Sequence, residues 1–209
     1  SYALHLARVM QEMGLDPATQ GVRLIFVGGE PAIGVPRTRE RIESLWKARM
    51  VEFYGCTEAA AHGGYSCHAS GRDGGPVFAH LSEDTQIWET VRPGDYAPLA
   101  QGERGLTVVT NLNSEGSPQL RFLMGDYTML DAARCECGRT HVRAMGSFVG
   151  RADDLINVRG VKFFPVDIEH AVRSIPGAGD EYEIVLAADE GGMDVMTVRI
   201  EHAEQLCAL

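Results

Sequence analysis

Val22-Arg23-Leu24-Ile25-Phe26-Val27-Gly28-Gly29 is a short apolar run stopped by two glycines, the pattern of a buried strand. Pro36 then suits the first turn of a helix, and Ile42, Leu45, Trp46 and Arg49 follow at spacings of three and four. Met50-Val51-Glu52-Phe53 is a second buried strand, ended by Tyr54-Gly55. Strand, helix and strand with short connections predict a parallel α/β sheet. Upstream, residues 2–13 place Tyr2, Leu6, Val9, Met10 and Met13 on one helical face, with Gly14 as the helix stop.

Working outward towards the C-terminus, the character changes after Gly63, where glycine and polar residues dominate as far as Pro76. From Phe78 to Met145 only short strands are predicted, at 85–90, 105–110, 119–123, 128–130 and 141–145. Turn formers such as Arg92-Pro93-Gly94-Asp95 and Ser114-Glu115-Gly116 separate them. A second break falls at Gly150-Arg151-Ala152-Asp153-Asp154. Strands at 155–158 and 161–164 follow, then a helix from Pro165, then strands at 183–188 and 194–201. The expected fold class is α/β in three parts: the end of a parallel α/β subdomain, a β-rich barrel-like subdomain, and the start of a small α+β domain. The expected boundaries are 1–152 for the large domain (α/β to about 75, β-rich over 76–150) and 153–209 for the small one.

Charge and composition exclude whole classes of function. The 209 residues carry 29 acidic and 19 basic side chains, a net charge of −10. That disfavours a nucleic-acid partner, which needs a basic surface. Apolar content of 44% excludes wholesale disorder. No apolar run is long enough for a membrane span, so no membrane partner is expected. Ser1-Tyr2-Ala3-Leu4 has neither a basic n-region nor an initiator Met, so the expectation is a fragment without a signal peptide. Five cysteines, an odd number with one Cys-x-Cys-Gly pair, suit a reducing, cytoplasmic protein with thiols available for metal.

Four stretches could carry chemistry. Gly28-Gly29-Glu30-Pro31 ends a strand and lets backbone approach a flat or charged ligand, although taken alone an ordinary strand-to-helix turn is the better reading. In Tyr54-Gly55-Cys56-Thr57-Glu58 a hydroxyl could bond phosphate, a carboxylate could hold a hard cation, and a tyrosine could cover an aromatic base. The same residues also fit a helix start capped by Thr57. Arg121-Phe122-Leu123-Met124-Gly125-Asp126 ends a predicted strand with an aspartate at a turn, suited to ribose hydroxyls or simply to a Gly-Asp turn. Gly150-Arg151-Ala152-Asp153-Asp154 reads alone as a solvated linker.

Taken in this order and spacing, the four stretches resemble the adenylate-forming superfamily of acyl-CoA synthetases, and within it the phenylacetate–CoA ligase family. Gly28-Gly29-Glu30-Pro31 is similar to the family's adenine-contacting strand end. Tyr54 to Glu58 resembles its signature turn, Asp126 its ribose-binding aspartate, and Gly150 to Asp154 its hinge, followed by Ile156-Asn157-Val158-Arg159-Gly160-Val161-Lys162-Phe163-Phe164-Pro165. Ser1 to Ala7 and Met13-Gly14-Leu15-Asp16-Pro17 also look like the ligase branch. The resemblance implies a phosphate loop upstream of Ser1 and a catalytic lysine beyond Leu209, with Lys162 not its match.

The reaction that this resemblance implies has two steps. A small aromatic carboxylic acid attacks ATP to give an acyl-adenylate and pyrophosphate, and coenzyme A then displaces AMP. The implied roles are Thr57 on the α-phosphate, Glu58 on Mg²⁺, Tyr54 with Gly55 at the adenine, and Asp126 with Arg151 on the ribose. Gly28, Gly29, Glu30 and Pro31 complete the nucleotide site, and Asp153 is the pivot. Ala59 and Ala60 could leave room for an aromatic ring, or could be plain helix packing. A structural Zn²⁺ is expected on Cys67, His80, Cys135 and Cys137, with His68 and then His141 as alternatives for the imidazole. Three thiolates and one imidazole make a closed tetrahedral site. Rival expectations are AMP transfer to another acceptor such as a deazaflavin cofactor, and a non-catalytic zinc-stabilised module. Self-association would give a homodimer.

Overall fold

In the computed structural model of the protein, α1 (Tyr2–Glu12) buries Ala7 completely and rests Ala3, Leu4 and Met10 against the core. The face predicted from hydrophobicity is therefore displaced, and Tyr2 and Met13 are 75% and 69% exposed. Small alanines let the helix axis come close to its neighbours, and periodicity weighted by side-chain size misses that. The structure describes residues 2–29, 38–58, 60–146, 148, 150–189 and 191–202, without the side chains of 60, 61 and 180.

β1 (Leu24–Val27) pairs in parallel with β2 (Arg49–Cys56), and α2 (Thr38–Trp46) is the crossover. Ile42, Trp46, Ala48 and Met50 close this core with Val27 and Ala7, and Trp46 Nε1 donates to the Ala3 carbonyl at 3.1 Å. The expected strand–helix–strand unit is present, but β2 runs on through Tyr54-Gly55.

Beyond Cys56 the chain turns back at once as β3 (Ala60–Tyr65), antiparallel to β2. The signature turn is thus a strand-to-strand turn. The capped-helix alternative for Thr57 is corrected, and so is the helix-packing alternative at Ala60, whose backbone is strand. Glycine is required in β3 by close approach: a Cβ at Gly64 would lie 2.9 Å from the His80 carbonyl oxygen. β4 (Phe78–Leu81), β5 (Gln86–Val91), β6 (Arg104–Asn111), β7 (Phe122–Asp131) and β8 (Arg143–Met145) complete an eight-stranded sheet in the order β1-β2-β3-β4-β8-β7-β6-β5.

One strand differs from expectation in a way that matters for the site. The predicted strands at 119–123 and 128–130 are a single strand, β7, and Asp126 lies inside it. Gly125 takes φ 82, and the pairing with β6 changes register between Leu106 and Val108. That is a β-bulge, in which a glycine accommodates the left-handed backbone.

The chain divides into two compact units, Ser1–Val149 and Gly150–Leu209. In the second, β9 (Ile156–Val158) and β10 (Val161–Phe163) form a hairpin whose two central residues, Arg159 and Gly160, have φ 50 and 85. Two positive φ angles make the tight turn that matches strand twist. α3 (Pro165–Arg173) starts on its proline, and the Asp167 carboxylate accepts from the Phe164 N–H at 2.8 Å. β11 (Ala178–Ala188) and β12 (Asp194–His202) pair antiparallel. The expected ββαββ order holds.

Candidate active site and metal centre

β2, second from one edge of the large sheet, carries Tyr54 near its C-terminal end, and Asp126 on β7 meets it there. The Tyr54 hydroxyl donates to Asp126 Oδ2 at 2.5 Å and lies 3.7 Å from Met124 Sδ. Asp126 is only 8% exposed, and its carbonyl accepts from Thr107 Oγ1 at 2.9 Å. Phe148 stacks on the Tyr54 ring at 13° between planes, and Trp88 approaches at a tilt with centroids 6.4 Å apart. The Tyr54 face is thus already an aromatic stacking surface. Phe148 and Trp88 are not among the residues predicted for the site. The only sequence signal for Phe148 is an aromatic residue two positions before Gly150.

Thr57 and Glu58 sit exposed on the β2–β3 turn. With His62, Gln86 and Asn111 they line a polar cleft of about 490 Å³. A hydroxyl and a carboxylate side by side are the oxygen donors that a phosphate and a hard cation each require. Gly28 is fixed by packing, because a Cβ there would enter the Phe53 ring at 2.4 Å. Gly29 has φ 82. Glu30, Pro31 and Ala59 lie outside the described residues, as does the Ala60 side chain, so the expected pocket wall is outside them too.

Arg151 and Asp153 belong to the second unit. They pair bidentately at 2.9 and 3.0 Å beside the 3-10 turn Ala152–Asp154. That hydrogen bond from Arg151 holds the Asp153 carboxyl below the usual carboxylate range.

The four predicted metal ligands converge. The ligand atoms of Cys67, His80, Cys135 and Cys137 all lie within 4.8 Å of one another. Cys67 Sγ and Cys135 Sγ are 3.8 Å apart, and Cys137 Sγ lies 3.3 Å from His80 Nε2. A tetrahedral zinc with ordinary bond lengths would separate two sulfurs by roughly 3.8 Å and sulfur from nitrogen by roughly 3.6 Å. The donor set fits. His80 Nδ1 contacts the His141 carbonyl at 3.4 Å, which leaves Nε2 turned to the thiols. His141 contributes that carbonyl, and the exposed His68 is outside the group.

Burial pushes the Cys67 thiol up to about 11. For Cys137 desolvation pulls the same way, but hydrogen bonds from the Arg139 backbone, Cys135 and the Arg139 side chain outweigh it and bring the thiol down to about 7. Burial lowers the His80 pKa, against the His141 carbonyl, and Arg139 and Arg143 lower it further. A neutral imidazole is the form that ligates metal.

Comparisons with known proteins bear on the chain as a whole. Residues 160–208 match the family model described as the AMP-binding enzyme C-terminal domain. The phenylacetate-coenzyme A ligase of Thermus thermophilus is 33% identical over 204 residues, 98% of this chain and 44% of that protein. The Pseudomonas putida phenylacetate-coenzyme A ligase is 30% identical, covering 96% of this chain and 43% of its own length. The chain therefore spans less than half the length of these relatives. A crystal structure of 2-hydroxyisobutyryl-CoA ligase with an acyl-AMP, in the postadenylation state, superposes with a TM-score of 0.86 at 30% identity, over 99% of this chain and 43% of that one. Signature turn, bulged aspartate strand and matched C-terminal segment occur in one order along one chain, and the chain belongs to the adenylate-forming acyl-CoA synthetase superfamily, in its phenylacetate–CoA ligase family.

Proposed function

We propose that this protein takes part in ATP-dependent activation of an aromatic carboxylic acid, followed by thioester formation with coenzyme A. The observation that carries this reading is the Tyr54–Asp126 hydrogen bond beside the Thr57–Glu58 turn, in a chain of this family. The acid's carboxylate oxygen attacks the α-phosphorus, and pyrophosphate leaves. The coenzyme A sulfur then attacks the acyl carbonyl, and AMP leaves. No protein nucleophile is required, so positioning and charge stabilisation supply the rate. Thr57 donates to an α-phosphate oxygen. Glu58 would hold a magnesium ion, whose charge offsets that of the phosphates. Asp126 accepts from the ribose hydroxyls, and the Tyr54 ring faces the adenine. Residues 1–152 then belong to the large adenylation domain, and 153–209 begin the small domain that pivots at Asp153.

The same reading gives zinc to Cys67, His80, Cys135 and Cys137. Four protein donors leave no open position, so the ion is structural. Among the described residues Cys56, Cys67, Cys135 and Cys137 form no disulfide, which suits a reducing, cytoplasmic setting.

Pyrophosphate release tests the reaction. A protein carrying this chain and the remainder of the family length should release pyrophosphate with phenylacetate or a related aryl acid, and should consume the adenylate only when coenzyme A is added. Consumption by a deazaflavin instead would assign AMP transfer. Absence of acid-dependent pyrophosphate release across a panel of aromatic acids would remove the catalytic reading.

A further inference from the structure

A second cleft, of about 370 Å³, lies between the C-terminal end of α2 and the loop joining β3 to β4. Arg39, Glu43, Lys47, Arg49, His68 and Arg72 line it, which sets four permanent cations against one carboxylate. The chain as a whole carries a net charge of −10, so this balance is local. The helix end attracts cations on its own account through its partial negative charge. That explains one lysine, but not four cations converging from α2, the start of β2 and a separate loop.

Half of the charged lining is committed to building the walls. Glu43 Oε1 accepts from Arg39 Nε at 3.3 Å and from the Met50 N–H at 2.9 Å. Arg39 also donates to the Ser70 carbonyl, and Ser70 Oγ accepts from the Phe78 N–H at 2.8 Å. Arg72 pairs with Glu136 at 3.1 Å and with Asp73 at 3.6 Å. These bonds fix both sides of the cleft before anything enters it. Lys47 and Arg49 remain. Both are exposed, and among the described residues neither side chain has a hydrogen bond or ion pair.

The backbone at Lys47 adds a second argument. It follows the last residue of α2 and has φ 49, the left-handed position where helices usually place glycine. A lysine there accepts a steric cost that glycine would avoid. We propose that this cleft is a binding site for a phosphate-bearing anion, with Lys47 and Arg49 as its principal contacts. It is separate from the proposed nucleotide site: Arg49 and Cys56 are opposite ends of β2, about 23 Å apart at strand rise. The anion is either free inorganic phosphate or pyrophosphate, or a phosphate group of coenzyme A. Only the coenzyme A source rests on the proposed reaction.

Calorimetric titration of the chain at low salt separates these outcomes, with pyrophosphate, coenzyme A and 3′-dephospho-coenzyme A as probes. Lys47→Gly and Arg49→Ala should each weaken binding about threefold or more, and together about tenfold or more. Lys47→Arg should retain it. Lys47→Gly suits the local backbone, so its thermal midpoint should stay level or rise, and a loss of affinity is then not a loss of fold. Coenzyme A binding more tightly than its 3′-dephospho form places its 3′-phosphate in the cleft; pyrophosphate binding as tightly as either places the free anion there. Pyrophosphate has no ribose for Asp126 to hold, so its titration reads the cleft whether or not the ribose assignment stands. Equal binding by wild type and the double variant, or no binding of any probe, overturns the proposal.

Discussion

Gly125 bulges β7, and one residue later the Asp126 carboxylate is held by the Tyr54 hydroxyl in a nearly dry position. In low dielectric each hydrogen bond that such a carboxylate accepts is worth more than in water. Replacing it with alanine removes the acceptors proposed for the ribose hydroxyls. Asp126→Ala should weaken AMP binding by about 1–3 kcal/mol, roughly fivefold to 150-fold. Calorimetry with AMP checks this, and an unchanged affinity would take Asp126 out of the nucleotide site. Tyr54→Phe keeps the ring that stacks on Phe148 and removes only the hydroxyl, so it should cost less than the loss of Asp126.

At the scale of elements, the cluster proposed to hold zinc joins three pieces: Cys67 in the β3–β4 loop, His80 on β4, and Cys135 and Cys137 in the loop before β8. Loops short of apolar contacts need such a tie. Purified protein should contain about one zinc per chain. A Cys135→Ser/Cys137→Ser variant should lose the metal and melt at lower temperature, and full retention of zinc would sink the assignment. The pivot proposed at Asp153 invites a second substitution. Proline at position 153 would fix φ, the backbone angle that a pivot must be free to change. With both halves of the enzyme present, Asp153→Pro should slow one half-reaction by about tenfold or more and spare the other. Equal loss of both would indicate misfolding.

Sequence made some elements plain and hid others, for physical reasons. The Arg159-Gly160 turn and the Pro165 helix start are local signals, and both were readable. β3 was not, because Gly63-Gly64 has poor strand propensity and is selected by the crowding of Trp88 and the His80 carbonyl, a tertiary demand. β7 was split in two because Gly125-Asp126 looks like a turn until its partner strand supplies the bulge. The Cys-x-Cys pair names two thiols locally, while its meeting with Cys67 depends on the pairing of β4 with β8. Phe148 gave no comparable sign.

For the molecule as a whole, the two units differ in how much they bury. The first has several apolar clusters, with Ile42, Met50, Leu81, Val91 and Val109 at 2% exposure or less. In the second, the buried apolar side chains among the described residues are Val166 at 8% and Val172 at 3%. Its β12 is largely exposed, and Leu186 on β11 is 52% exposed. Burial of apolar surface is the dominant favourable contribution to folding, so a unit with a small core opens at lower free energy than one with a large core. Hydrogen exchange reads that difference directly. Amides of β11 and β12 should exchange well before those of β6 and β7, although both are long antiparallel pairs. The gap should be about tenfold or more in rate for each ~1.4 kcal/mol separating the two opening free energies. Equal protection of the two pairs would mean that the chain unfolds as one cooperative block, and a separately moving C-terminal unit would then lose its energetic basis.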